Sequence, residues 1–240
     1  KDIRNGVEAA KTASSWGKST AHLRAQILYY LGENLSVRSD EFARRISDMT
    51  GHILEETQEE VQLSIERLFT YAAWADKYDG GAHGAPIRGV ALAMNEPVGT
   101  IGMICPDEYP LLGLISLIAP ALAMGNTSVV IPSEPYPLAA TDLYQVFETS
   151  DLPAGVVNLV TARHEEVIES LSGHMDLDSV WYFGSSGLSS TVEKLSATNL
   201  KRTWVNHGNQ RNWTDIKQGE GQEFLRQSTE VKNIWIPYGE

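Results

Sequence analysis

The sequence is short of several things, and each shortage removes a class of function. It has one cysteine, Cys105, in 240 residues, so no internal disulfide forms and a reducing, cytoplasmic compartment is expected. Positive charge is scarce: 19 Lys and Arg stand against 31 Asp and Glu, a formal net charge of −12. Phosphates would be repelled, so nucleic acid and anionic membrane are excluded as partners. Long hydrophobic runs are missing. The most apolar stretch, residues 111–124, contains Pro120 and is followed by Gly125-Asn126. It is too short and too punctuated to span a bilayer and reads as a buried helix. The six histidines show no metal spacing, such as two on one helix face with a Glu between them, so no metal is expected. No internal repeat or low-complexity block is found. No secretory signal is read, which leaves the sequons at Asn34, Asn126 and Asn212 without weight. Lys1 in first position fits a piece of a longer polypeptide or a processed start.

What is present is ordinary for a soluble globular chain: 42% hydrophobic and 21% charged residues, enough for one large α/β domain or two small ones. Residues 1–78 read as helical. Apolar positions recur at three- and four-residue steps over 21–31, and Phe42, Ile46 and Met49 continue a face after the helix start at Ser39-Asp40-Glu41. A further helix over 55–76 buries Val61, Ile65, Leu68, Tyr71-Ala72 and Ala75. Its acidic start, Glu55, Glu56, Glu59 and Glu60, suits a solvated helix N-terminus, with an acidic patch for a partner as the alternative. Gly80-Gly81-Ala82-His83-Gly84 breaks the helical pattern, and 89–96 reads as extended.

Strand and helix signals then alternate. Strands are expected at 98–104, 127–131, 156–160, 179–183 and 202–206. Helices are expected at 111–123, 139–149, 164–171 and 188–197. Repeated βα units with short apolar strands give an α/β fold with a parallel sheet covered by helices on both faces. Ligands in such a sheet sit beyond the carboxyl ends of the strands. Residues 209–221 read as a polar linker, 222–227 as a short helical turn and 231–237 as a strand.

One set of segments carries a resemblance. It comprises Asn95-Glu96-Pro97-Val98-Gly99, Ile104-Cys105-Pro106-Asp107-Glu108-Tyr109-Pro110 and Ile118-Ala119-Pro120-Ala121-Leu122-Ala123-Met124-Gly125-Asn126-Thr127. Pro132-Ser133-Glu134 and Leu152-Pro153-Ala154-Gly155-Val156-Val157-Asn158 follow in order, with Tyr71-Ala72-Ala73-Trp74-Ala75-Asp76-Lys77 upstream. Together they resemble the aldehyde dehydrogenase superfamily. Thr229-Glu230-Val231-Lys232 is similar to that family's last strand, which pairs with the segment matching 90–95 in an oligomerisation ribbon. The family's catalytic domain would lie between 206 and 229, where only a short segment stands. The arrangement resembles the shortened second domain of the two-domain, family-sixteen aldehyde dehydrogenases.

The resemblance implies a Rossmann-like nucleotide-binding-like domain over 1–208, with 89–96 as a ribbon strand. A linker and oligomerisation strand would follow over 209–240, with the catalytic domain absent. Aldehyde oxidation needs a thiolate nucleophile, a base and an oxyanion donor. The nucleophile belongs to the absent domain, and Cys105 reads as a buried small hydrophobe. The family's oxyanion-stabilising Asn falls at Glu108, whose charge has the wrong sign. Its general-base Glu falls at Asn206, an amide that takes up no proton at neutral pH. Catalytic residues are therefore expected to be none.

The family's ribose-binding Lys falls at Ile131 and its Glu at Glu134. Its glycine turn resembles Phe183-Gly184-Ser185-Ser186-Gly187, with Ser189 replacing the later Gly. Glu134, Gly184 and Ser185 are the vestigial cofactor candidates, at a helix start that attracts anions or is a plain turn. No cofactor is expected, with residual NAD binding as the alternative. Glu134 and Glu108 are candidates for a pair across the cleft, and His207 reads as a satisfied strand-end histidine. Val90, Leu92, Met94, Val231, Ile234 and Ile236 are the oligomerisation candidates. The expected role is a non-catalytic, assembling domain that forms a homo-oligomer or docks onto an upstream aldehyde dehydrogenase domain of the same polypeptide. The alternatives are an NAD-binding module or a non-catalytic part of an NAD-dependent, aldehyde-oxidising parent.

Overall fold

Four helices open the chain: α1 (Asp2–Thr12), α2 (Ala21–Val37), α3 (Ser39–Thr50) and α4 (Leu54–Trp74). The computed structural model describes residues 1–86 and 88–237, so the end of the tail expected to reach 240 lies outside the described residues. Thr20 starts α2 by accepting a hydrogen bond from the Leu23 N–H at 3.2 Å, which satisfies one of the free donors of a helix N-terminus. α2 and α4 bury Leu28, Leu31, Leu35, Val61, Leu68 and Tyr71, the stripe expected from the helical spacing.

Glu60 departs from the expected solvated helix end. It is buried, and its Oε1 accepts from the Leu111 and Leu112 N–H groups at 2.8 and 3.1 Å. The helix that follows those residues has no side-chain cap of its own, so a carboxylate from α4 supplies the acceptor. Burial pushes the Glu60 carboxyl above the usual range, and the two backbone N–H groups pull it back.

Two strands follow, β1 (Gly80–Gly84) and β2 (Gly89–Pro97), then β3 (Thr100–Ile104), α5 (Leu112–Ala123), β4 (Thr127–Ile131) and α6 (Leu138–Thr149). The chain continues through β5 (Val157–Leu159), α7 (His164–Ser172), β6 (Ser179–Tyr182), α8 (Ser186–Ser196) and β7 (Arg202–Val205). Strands β3 to β7 form a parallel sheet in the order β5-β4-β3-β6-β7, as expected of repeated βα units.

Alternation along each strand divides the core in two. Ile101, Met103, Val130 and Trp181 face the larger cluster with α2, α4, α5 and α6. Ile104, Val129, Ile131, Val180 and Tyr182 face α1, α7 and α8 through Ile3, Val7, Ile168, Leu171 and Val192. Every residue of α5 is buried, Pro120 included, which is why residues 111–124 lack a polar face.

The chain ends with α9 (Ile216–Gly219), α10 (Gln222–Gln227) and β8 (Thr229–Pro237). The linker expected over 209–221 is instead packed. Trp213 is fully buried, as are Phe224 and Leu225 beyond it. Arg67, buried on α4, holds this strap by its carbonyls. Its Nη2 donates to the Trp213 oxygen at 3.1 Å, and its Nη1 donates to the Gly219 oxygen and, at 2.7 Å, to Ser116 Oγ. Its Nε sits 3.1 Å from Glu220 Oε2, close enough for an ion pair but not aligned for a hydrogen bond. Polar composition misled here because the Trp213 and Gly219 carbonyls are met by a buried arginine, although Asn209, Gln210, Asn212, Lys217 and Gln218 stay exposed.

β8 pairs antiparallel with β2 from Pro97↔Thr229 to Gly89↔Pro237, and β1 pairs on the other side of β2. The glycine-rich stretch expected only to break a helix is thus an edge strand, because β2 supplies its hydrogen bonds. Register divides the ribbon candidates between two faces. Val90 stands opposite Ile236 and Leu92 opposite Ile234, so these four share a face with Met94. Val231 stands opposite Asn95 and lies on the other face with Trp235.

Candidate functional site

The carboxyl ends of β3, β6 and β7 open onto a cleft of about 300 Å³. Each strand ends in the same physical way: the apolar run stops, and a Pro, Gly or Asn turns the chain into the next connection. The turns place Asp107 and Glu108 after β3, Gly184 and Ser185 after β6, and Asn206 after β7 around one space. Asn209 and Gln210 from the strap complete the wall. The structure therefore brings Glu108, Asn206, Gly184 and Ser185 together at the ligand-facing end of a parallel sheet.

Glu134 does not join them. Its Oε2 accepts from the His164 N–H at 2.9 Å, at the start of α7. A carboxylate at that positive helix end is stabilised where it is. The expected pair of Glu134 with Glu108 is not formed: Glu108 lines the cleft and Glu134 turns to α7. Asp107 was missed as a site residue and links the two turns. Its Oδ1 accepts from Ser133 Oγ at 3.1 Å and from the Glu134 N–H at 2.9 Å. A short carboxylate between a strand end and a Glu-Tyr-Pro turn was the available signal.

The cleft carries two carboxylates, several amides and hydroxyls, and no Lys or Arg among the residues that line it. Cys105 is buried beneath it, and burial, with Asp107 nearby, pushes the thiol far above its ordinary range. A thiol held protonated is not a nucleophile. The Asn206 side chain bonds within its own turn, from Nδ2 to the Asn209 oxygen at 3.3 Å and at Oδ1 from the Gly208 N–H at 3.2 Å. His207 is exposed, with Nε2 3.5 Å from Glu193 Oε1. Among the described residues, no group of three His, Cys, Asp or Glu side chains is placed to hold a metal.

Gly184 owes its identity to a close approach. A Cβ there would lie 2.6 Å from Tyr182 Oη and 2.7 Å from its Cζ. The Tyr182 hydroxyl donates to the Ser185 oxygen at 2.9 Å, and burial raises its pKa, with the negative charges of Asp107 and Glu165 adding to the effect. Ser189 is buried on α8 with no partner for its hydroxyl among the described residues. Gly184→Ala is expected to destabilise the fold by about 1–3 kcal/mol through overpacking against Tyr182. Urea unfolding would check it, and an unchanged midpoint would show that the phenol moves aside freely.

Comparison with known proteins agrees with this geometry. The sequence model of the aldehyde dehydrogenase family matches residues 1–214. An aldehyde dehydrogenase of Agaricus bisporus is 34% identical over 212 residues, covering 86% of this chain and 42% of its own length. The cytosolic 10-formyltetrahydrofolate dehydrogenase of Pongo abelii is 31% identical over 216 residues, covering 86% of this chain and 24% of its own. A crystal structure of betaine aldehyde dehydrogenase from Staphylococcus aureus in complex with NAD+ superposes with a TM-score of 0.81 at 29% identity. It covers 85% of this chain and 41% of that one. The chain thus spans less than half the length of each protein it matches here. Among the described residues, no helix is long and apolar enough to cross a membrane.

Proposed function

The chain belongs to the aldehyde dehydrogenase family, and from that premise we propose that it is a non-catalytic module whose role is assembly. The observation that carries this reading is the ribbon. β8 pairs with β2 along nine residues and leaves Val90, Met94, Ile234 and Ile236 exposed on one face, beside the Lys232–Glu96 ion pair, and Val231 and Trp235 exposed on the other. Exposed apolar side chains on an edge-bearing sheet favour association with another sheet. The occupant is a second copy of this chain. In a longer polypeptide, an aldehyde dehydrogenase domain preceding this one is the other surface of matching build. What supports the non-catalytic half of the reading is that Glu108 and Asn206 line one cleft, and that by resemblance these are the family's oxyanion-donor and base positions, whose chemistry a carboxylate and an amide do not supply.

The test is the oligomeric state. Sedimentation of the full chain at micromolar concentration is expected to give an oligomer, and the double variant Ile234→Lys, Ile236→Lys a folded monomer. A monomeric wild type, or an oligomer unaffected by the two lysines, would sink the assembly role.

A second reading, residual NAD binding, is favoured by the similarity to a structure described in complex with NAD+ and by Gly184 and Ser185 at the start of α8. Two carboxylates in the cleft, Ile131 in place of a Lys and the engagement of Glu134 by α7 weigh against it. Calorimetry with millimolar NAD is expected to show no binding heat. Saturable heat lost in Gly184→Ala, with its fold verified, would establish the second reading instead. Turnover of an aldehyde by a longer parent protein is compatible with either role for this module.

A further inference from the structure

Arg211 sits in a cage. Its guanidinium carbon lies 5.7 Å from the ring centroid of Phe183, 5.4 Å from that of Trp204 and 5.4 Å from that of Phe224. The rings hold one another edge to face, Phe183 against Trp204 at 4.8 Å and Trp204 against Phe224 at 5.1 Å. Such packing fixes the cage without help from the cation. Glu223 closes the open side with two contacts, 2.9 Å to Nη1 and 3.3 Å to Nη2, and the Gln218 oxygen accepts from Nη1 at 2.7 Å. Planar charge, three aromatic faces and a forked carboxylate contact are the chemistry of guanidinium recognition.

The position of Arg211 in the chain gives this cage a consequence. Residues 209–212 have no helix or strand of their own, and Asn209 and Gln210 wall the cleft beside Asp107 and Glu108. On one side the segment is bounded by His207 and Gly208, both with positive φ, at 53° and 76°. On the other it is fixed by Trp213, fully buried and held through its oxygen by Arg67. Between hinge and anchor, the side chain that reaches back into the protein core is that of Arg211. Its side chain keeps 20% of its surface exposed, so it can leave the cage without the core opening.

We propose that Phe183, Trp204, Phe224 and Glu223 form a guanidinium-binding site, that Arg211 is its internal ligand, and that the seated arginine latches residues 209–212 as a gate on the cleft. This is independent of the assembly role, since the gate and the ribbon share no residue. A vacated cage binds a free guanidinium compound, and filling it restores the order that Arg211 gave.

Hydrogen exchange of the Asn209 and Asn212 amides, which donate to the Asn206 oxygen at 2.9 Å and to Gln218 Oε1 at 3.0 Å, tests this on the full chain, with the amides of β3 and β4 as the internal reference for intact folding. Arg211→Ala is expected to exchange about tenfold or more faster in that segment alone. Low-millimolar guanidinium chloride or ethylguanidine returns it toward the wild-type rate. Equimolar urea, the neutral planar analogue, and sodium chloride do not. Arg211→Lys is expected to lie between, because an ammonium lacks the planar fork. Unchanged exchange in Arg211→Ala overturns the latch. Failure of guanidinium to restore protection, or equal restoration by urea, overturns the site. Should the alanine variant lose protection in β3 and β4, Arg211→Lys with the same additions decides by the same criteria.

Discussion

Replacing Arg67 with Met should lower the unfolding free energy by about 3–5 kcal/mol, the cost of removing one partner from a buried charged network. The guanidinium serves acceptors that come from three places in the sequence: Ser116 on α5, the oxygens of Trp213 and Gly219, and the carboxylate of Glu220. Met fills much of the volume and satisfies none of them. Two main-chain carbonyls and a mostly buried carboxylate would be left without their donor, and each uncompensated group is expensive in a dry interior. Burial lowers the Arg67 pKa and the charge of Glu220 raises it, yet the group stays protonated at any ordinary pH. The loss should therefore be nearly independent of pH around neutrality. Urea unfolding followed by tryptophan fluorescence measures it. Adding Glu220→Gln to Arg67→Met should recover part of the loss by removing the stranded charge. A single variant within about 1 kcal/mol of wild type would mean that water reaches these groups and the network is not dry.

Trp213→Ala should be nearly as costly, about 3–5 kcal/mol. The number separates two views of the same segment. In a linker, an exposed tryptophan can be removed within about 0.5 kcal/mol. In the folded chain, Trp213 is fully buried, with its ring 5.4 Å from Phe183 and 6.5 Å from Phe224. Removal opens a cavity beside the aromatic cluster, and the sheet above it relaxes only partly. Because the Trp213 oxygen is also a partner of Arg67, the two substitutions share one structural consequence, release of the strap. Their combined effect should fall short of the sum by more than about 0.5 kcal/mol. Strict additivity would show that the ring and the carbonyl act separately.

The parts of this molecule that could be read in the sequence are those governed by short-range pattern. Residues 98–104 and 127–131 announce strands because they are short, continuous apolar runs, and the sheet buries them on both faces, Ile101 and Met103 on one and Val129 and Ile131 on the other. The helices of residues 2–74 announce themselves through spacing. Gly184 and Ser185 could be placed at the ligand end of the sheet because a strand must turn there. What stayed hidden depends on partners far away in the chain. Glu60 looks like any other residue of an acidic helix start until the Leu111 and Leu112 N–H groups meet it. Residues 209–221 look like a free linker until Arg67 reaches the Trp213 and Gly219 carbonyls. Val231 looks equivalent to Ile234 and Ile236 until the register with β2 assigns it the opposite face. Glu134 could be matched to a ribose-binding position by likeness, but its engagement by the His164 N–H is a long-range contact with no local signature.

The pairing of β8 with β2 also sets an order of events. Gly89 meets Pro237 and Pro97 meets Thr229, so the ribbon joins an early strand to the last one described. β1 and β2 leave the ribosome long before their third strand exists. At about 5–20 residues per second, they wait on the order of ten seconds as a two-stranded hairpin, which is marginal alone in water. Throughout that interval Val90, Leu92 and Met94 have no β8 beside them, and the edge of β2 is open to any passing strand. Closing so large a loop is also entropically slow compared with the local βα units of the sheet. Synthesis of this chain therefore carries a window of vulnerability that ends only when β8 arrives. A nascent chain stalled before Thr229 should engage chaperones or aggregate, where one released after Pro237 does not.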